Sequence, residues 1–530
     1  MINSLKLLRN SIKINYHFFL IFIFLVFILV YRSGLDKDAL FITSDGQIKY
    51  FQTVQLINTN ILNSECFYNG KSLDPEFNFF PIRYPWSLIG DSIPNRCVFE
   101  YPPFFPYLAT AIYYIFGFNA LIYIPLFFLI LSGFVFFKIL NFYDKEVIFK
   151  ILLFISAFFS LPLLTAMDFS ESPIYHFLGL CGIYFFVKPY DSIKKNLFLL
   201  GFLFGLSIYF RLESLIPIFF CGLYLVLFSK GFQNKFSYGL YLTLGFCIPF
   251  SIFCIFNYLE SGHPLGFRFI SSLLDNEVSS PDFSFRMQLW KAYLFGDIIM
   301  VGLFSFQPLS MIAIITSLAF AVTQRLNFKE GLLIFSGILS LIFIPLSVKF
   351  YGGVGYFGLR YLETPMFFLY IGIGLSLLRN SENFSKVQIY SGIAVILISF
   401  YFNYKATNEG LKVLKNGARD YQILQNFFKL ENQAIIHTSL YSSIFIGKSF
   451  IKDNHFHIHQ EKVLNEFLNS HYKNKKVILV LPPDNMYVSA DIPKKFHENY
   501  KTDININKIN ITILEQKSIN SITLIHGLVK

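Results

Sequence analysis

The feature that most limits this chain is a series of apolar blocks, each close to the ~20 residues that carry an α-helix across a bilayer. They lie at 16–31, 104–118, 119–140, 148–166, 173–187, 196–210, 214–229, 237–257, 298–322, 331–348, 366–378 and 387–402. Of the 530 residues, 54% are hydrophobic and 15% charged, against ~25% charged in a typical soluble protein. A soluble enzyme, a coiled coil and a disordered chain are excluded. The blocks also lack the apolar–polar alternation over ~10 residues that marks an outer-membrane barrel strand. The 68 Phe carry no functional signal; a genome rich in A and T accounts for them.

The block at 104–118 is set apart by Pro102, Pro103 and Pro106. Proline removes a backbone donor and clashes one turn back, so it does not sit inside a regular helix. This block reads as a helix on or in the outer face of the membrane. Charge then tests the topology. With eleven spans and a cytoplasmic N-terminus, the loops on the N-terminal side hold about 15 Lys and Arg, and the opposite loops, although longer, hold about 6. The net charge of +11 is therefore a membrane-topology signal, and nucleic acid is not an expected partner. The first block, Tyr16 to Tyr31, follows Lys6, Arg9 and Lys13 and is followed by no small-x-small cleavage site. It reads as an uncleaved anchor.

The expected fold class is an all-α polytopic membrane protein of about 11 transmembrane helices with a small C-terminal α/β domain. Residues 1–402 form the membrane domain, with a first outer loop at 32–103. From about Asn403 the chain becomes polar. Short apolar runs at Ala434–His437, Lys476–Leu481, Ile511–Leu514 and Ser521–Ile525 predict strands. Residues 403–530 are thus read as an α/β domain on the extracytoplasmic side. Cys181, Cys221, Cys247 and Cys254 lie in apolar blocks, whereas Cys66 and Cys97 share the first outer loop. Where the compartment oxidises thiols these two form a disulfide. His455, His457 and His459 alternate as on one strand face, without a recognisable partner for a metal.

Ionisable residues gather at the outer ends of the spans. They include Asp45 and Lys49 early in the first loop, and Asp168 and Glu171 in the short loop Met167 to Pro173. Arg211 and Glu213 follow between two apolar blocks, then Lys349 and Arg360. Arg211 is costly at that depth, ~2.5–3.5 kcal/mol if truly central. On one helix Arg211 and Glu213, two residues apart, would not face each other; a turn in the loop would bring them together. Cations there suit a phosphate held at the membrane surface.

These residues resemble the GT-C integral-membrane glycosyltransferases, in the broad group of protein mannosyltransferases and aminoarabinose transferases. The resemblance rests on Asp45 and Tyr50 in the first loop and on the Tyr101-Pro102-Pro103-Phe104-Phe105-Pro106 segment that closes it. It continues in Gly205, Leu206, Arg211 and Glu213, and in Arg360, Tyr361, Leu362 and Pro365. The family often has Asp-Glu where this chain has Asp45-Gly46, and Glu65, Asp91 and Glu100 are the substitutes in the same loop.

The resemblance implies a hexosyl- or pentosyl-transferase of the cell envelope, lodged in a bacterial inner membrane. Its donor would be a polyprenyl-phosphate sugar and its acceptor a glycolipid, polysaccharide or protein on the outer side. It implies Asp45 and Asp168 as catalytic carboxylates. Tyr50, Glu171, Arg211, Glu213, Lys349, Arg360 and Tyr361 would bind substrate. No cofactor is implied with certainty, a divalent cation being the one candidate. The alternative is a polysaccharide polymerase or ligase, or a lipid-linked-sugar flippase. A flippase needs a polar path through its spans, whereas here the charges cluster at one face.

Overall fold

The computed structural model describes residues 30–32, 44–59, 66–83, 87–90, 93–99, 101–143, 146–189, 192–267, 283–348, 358–443, 446–482, 504–519 and 522–530, preceded by Phe24, Val26 and Ile28. Most of the anchor at Tyr16–Tyr31 lies outside the described residues, as do Glu65, Asp91, Glu100 and Lys349. The chain forms two compact units. One comprises Met1–Gly34, Ile122–Phe253 and Pro281–Val413; the other comprises Leu35–Leu121, Cys254–Ser280 and Leu414–Lys530.

The first unit is a helical bundle. Its helices are Tyr123–Leu140, Val147–Phe158, Leu161–Ala166, Ser172–Val187, Ile193–Ser207, Leu215–Phe228, Phe283–Phe295, Leu303–Phe306, Pro308–Val322, Phe328–Ser347 and Glu363–Arg379, with the greater part of Phe232–Ser261 and of Lys386–Phe428, whose ends from Cys254 and Leu414 belong to the other unit. Two apolar blocks are broken where proline falls. The block at 148–166 divides at Phe159–Ser160, just before Pro162, and Pro308 starts its own helix after Gln307. Both prolines take early helical positions, where the missing N–H costs nothing. Among the described residues five helices are long and apolar enough to cross a membrane, and five more apolar helices have 10–17 residues.

The Phe232–Ser261 helix shows how the bundle meets lipid. Leu240, Leu244, Ile248 and Ile252 are exposed on it, an apolar face that suits hydrocarbon rather than water. Its other side lies hard against the Ile193–Ser207 helix. A Cβ on Gly201 would collide with the Leu242 carbonyl oxygen, and one on Gly245 with that of Phe198. Small residues let two backbones approach this closely, the usual device for packing helices in a membrane. These helices make the chain an integral membrane protein.

The second unit holds the first loop and the C-terminal sheet. The loop is not irregular at its start, because residues Ser44–Asn58 form a helix. Ile48, Phe51 and Val54 are fully buried on it, spaced three and six apart as one apolar helical stripe requires. Strands β1 (Ser87–Gly90) and β2 (Ile93–Phe99) form a hairpin, and Phe104–Phe116 is a helix. The C-terminal sheet has strands β3 (Ala434–His437), β4 (His455–His457), β5 (Lys476–Leu481), β6 (Ile511–Ile519) and β7 (Ile522–Val529), in the order β4-β3-β5-β7-β6. β3 runs parallel to β4 and β5, while β5–β7 and β6–β7 are antiparallel. The last two strands are longer than their apolar runs, because antiparallel pairing across a short turn carries the ladder through polar residues. The first loop lies along this sheet, with His457 N donating to Phe79 O at 2.8 Å. The change of composition at Asn403 falls inside the Lys386–Phe428 helix.

Candidate active site in the helical bundle

Arg211 sits where a helix breaks. The Ile193–Ser207 helix ends, the chain turns, and Arg211 takes an extended conformation at φ −146° and ψ 118° before the 3-10 turn Leu212–Ser214. Ser214 Oγ donates to Arg211 O at 2.6 Å and holds the turn. This break lets Glu213, only two residues on, reach the guanidinium at 3.6 Å. Glu171 is 3.0 Å from Arg211 Nε, and Arg211 Nη2 donates to Ser172 Oγ at 3.0 Å. Arg211 is 5% exposed and Glu171 4%. Buried charges at this depth are tolerable only when paired, and Arg211 meets two carboxylates.

A second cation comes from the 3-10 turn Gly358–Leu362. The Arg360 guanidinium lies 5.4 Å from the centroid of Tyr361, and that of Arg211 lies 5.5 Å from the same ring. The aromatic faces attract both cations, yet Arg360 is close enough to repel Arg211. Two like charges gathered around one buried ring form a site with a use for negative charge.

The short loop before Ser172 carries the acids. Asp168 is buried at 7% exposure, three residues before Glu171. Ser170 N donates to Asp168 O at 2.9 Å. Ser172 N donates to Ser170 Oγ at 3.2 Å, so it is Ser170, not Asp168, that ties the start of the Ser172–Val187 helix. Three residues given no role in the sequence reading, His176, Glu363 and Thr165, complete the cluster. His176 Nε2 is 2.8 Å from Glu363 Oε2, and Thr165 Oγ1 donates to the same oxygen at 3.5 Å. His176 lies in an apolar run, so no local pattern marked it. The signal available was its i+4 spacing from Ser172, which puts both on one helix face.

In the other unit, Asp45 is half-buried in the first turn of Ser44–Asn58. Tyr50 has no exposure, its ring edge-on to Phe118 at 5.7 Å, so in this conformation it is a core residue. Lys49, one turn after Asp45, is buried with its ammonium 4.7 Å above Tyr101, whose carbonyl accepts from Gln52 Nε2 at 2.7 Å. Cys66 and Cys97 are joined as a disulfide with Cα atoms 5.2 Å apart. Of the alternating histidines, His455 turns to His437 on the next strand, 3.0 Å between ring nitrogens, and His457 stacks on His459. Among the described residues no three His, Cys, Asp or Glu side chains stand together as ligands for an ion.

No protein-family model and no curated protein matches the sequence. The structure is similar to crystal structures of the oligosaccharyltransferase of Archaeoglobus fulgidus. The apo form is 11% identical, with a TM-score of 0.49 over 88% of this chain and 69% of that one. The form tethered through a disulfide bond to an acceptor peptide containing the NVT sequon is 12% identical, with a TM-score of 0.50 over the same shares. The likeness is one of fold: this chain shares the overall fold of that oligosaccharyltransferase.

Proposed function

We propose that the protein is a membrane glycosyltransferase that moves a sugar from a polyprenyl-phosphate donor to an acceptor on the extracytoplasmic face. The shared fold supports the class. The observation that carries the reading is the pair of guanidinium groups on Tyr361. In this reaction the acceptor oxygen or nitrogen attacks the anomeric carbon. The bond from that carbon to the phosphate oxygen breaks, and the phosphate leaves with the electron pair. Its charge grows as it leaves, and fixed cations aimed there lower the barrier. Glu171 and Glu213 hold Arg211 in place, and Arg360 brings a second guanidinium to the same ring.

The acceptor proton goes to a carboxylate, with Asp45 as the base and Asp168 assisting. Tyr50 then contributes packing rather than contact with substrate. Eleven spans with the N-terminus inside, counted with the short apolar helices other than Phe104–Phe116, would have the first loop and residues 403–530 face outward. A disulfide between Cys66 and Cys97 suits such a compartment. The NVT sequon on the neighbour's peptide makes a protein acceptor one option beside a glycolipid or polysaccharide.

The test is binding of undecaprenyl phosphate to the purified chain, set against undecaprenol and inorganic phosphate, together with mass spectrometry of surface glycans from a deletion strain. The reading expects undecaprenyl phosphate to bind more tightly than either control, binding to weaken in Arg360→Ala, and one glycan to lose a sugar. Equal binding of undecaprenol, or unchanged glycans, would overturn it.

A further inference from the structure

The His176–Glu363 pair is a poor source of stability. His176 is 1% exposed and Glu363 2%. Glu363 Oε1 and both ring nitrogens of His176 have no well-aligned hydrogen-bond partner, although His176 Nε2 lies 2.8 Å from Glu363 Oε2. A buried polar pair with unmet hydrogen bonds is generally no better than two apolar side chains of the same volume, and often worse. Its place in the bundle gives it another role.

Ser172 and His176 are one turn apart on the same face of the Ser172–Val187 helix. Ser172 accepts from Arg211, while His176 reaches Glu363. Glu363 opens the Glu363–Arg379 helix, directly after the 3-10 turn that carries Arg360 and Tyr361. One helix face therefore grips the element bearing the first guanidinium and, a turn later, the element bearing the second. The ring of Phe367, one turn beyond Glu363, packs on His176 at 5.5 Å and closes the contact.

We propose that His176 and Glu363 are positioning residues that fix the Arg360–Tyr361 turn against Arg211, so that the two guanidinium groups present a single site for a phosphate. Neither residue touches the phosphate itself. The inference rests on the reading of that site as the donor-phosphate site. Without the pair, the turn is free to shift at its junction with the helix. The cations would then hold separate positions, and their joint affinity for a dianionic group would fall.

The experiment measures undecaprenyl phosphate binding and thermal unfolding on the full-length protein in detergent. His176→Phe with Glu363→Met replaces the pair by apolar side chains of similar volume. The double variant is expected to unfold at the same temperature as the parent or higher, yet to bind on the order of tenfold more weakly, within the usual range of coupling between contacting residues. Glu363→Gln, which keeps the size of the side chain and a polar group beside His176, should bind within about threefold of the parent. In an Arg360→Ala background the double apolar substitution should add nothing, because there is no second cation left to place.

Three results overturn the proposal in distinguishable ways. Parent-like binding by the apolar pair, with Arg360→Ala still weakened, removes the positioning role and leaves the phosphate site standing. An equal loss with and without Arg360 makes the effect a general one and also removes the role. Parent-like binding in Arg360→Ala removes the phosphate site, and the positioning role with it. Should the apolar pair fail to fold, His176→Gln alone carries the same comparison.

Discussion

Arg211 in the helical unit and His437 in the sheet unit are both buried polar side chains, and they are satisfied in opposite ways. Around Arg211 stand two carboxylates, a hydroxyl and a second guanidinium that repels it. His437 leans on His455, and His455 on Ser449, in a line of neutral groups at 3.0 and 2.9 Å. Charge crowding is costly and is worth its cost only where a ligand completes the balance. A neutral chain in which each proton has one place holds strands together and asks for no ligand. The contrast teaches where to look for chemistry: in the network crowded with charge, not in the one with more histidines.

The largest expected effect would break that contrast by giving the second unit a chemical role. Asp45 belongs to it, half-buried in the first turn of Ser44–Asn58. If Asp45 is the base, Asp45→Asn lowers turnover ~10²–10⁴-fold, the usual worth of general-base catalysis, with undecaprenyl phosphate binding little changed. Sugar transfer from a polyprenyl-phosphate donor by purified, folded variants measures it. Normal turnover would move the base to Asp168 or Glu100.

A second result would sharpen the contrast. Arg211→Met strands Glu171 and Glu213 in the bundle without their cation. Breaking a buried pair by removing one partner costs ~3–5 kcal/mol, so a lower unfolding temperature is expected. Arg360→Met, which leaves the ion pairs of Arg211 with Glu171 and Glu213 in place, should lose binding with a smaller loss of stability. Equal destabilisation by both would mean that Arg360 is as structural as Arg211.

How far these networks could be read beforehand differs for physical reasons. The helices follow from hydropathy, since a bilayer demands long apolar runs, and each apolar block from 104 onward yields a helix. β3 and β5 match their apolar runs because a strand buried in the middle of a sheet is apolar throughout. The Arg211–Glu213 contact depended on a backbone break at residues 208–211 that composition does not specify. His176 and Glu363 are far apart in the chain and meet only through helix packing. The alternation of His455, His457 and His459 pointed to a strand, but the partner of His455 lies across the β3–β4 pairing, and parallel register is not written in either strand alone.

The third prediction asks whether the second unit is held covalently. A disulfide between Cys66 and Cys97, 31 residues apart, closes a loop worth ~3–4 kcal/mol by chain entropy. Cys97→Ser should make residues 60–100 more susceptible to protease while the helical unit keeps its resistance. Thiol labelling of the parent before and after reduction checks the bond itself. Full labelling of Cys66 without reductant would place both thiols free and remove this difference between the units.

The smallest effect tests the claim that the histidine chain is neutral. Ser449 Oγ donates to Ile446 O at 2.6 Å, so it must accept from His455 Nε2, which carries the proton. His455 Nδ1 is then an acceptor, and His437 Nε2 donates to it. A further proton on His455 would set N–H against N–H inside a shell formed by Phe428 and Phe450. Burial drives the His455 imidazole down to about 3, and burial with the neighbouring His455 holds His437 well below its ordinary value. Unfolded histidine titrates near ~6.5. Below that pH the unfolded chain binds protons that the folded sheet refuses, so stability is complete above ~6.5 and is lost as pH falls toward about 3. The slope is ~1.4 kcal/mol per pH unit for each histidine. Thermal unfolding of the full-length protein from pH 7.5 to 4.5 should show this decline in the transition of the sheet unit. His437→Phe with His455→Phe, which fills the same space without a titrating group, should flatten it. A decline of the same slope in that variant would assign the acid sensitivity to carboxylates, and the neutral chain would lose its place as the counterpart of the charged one.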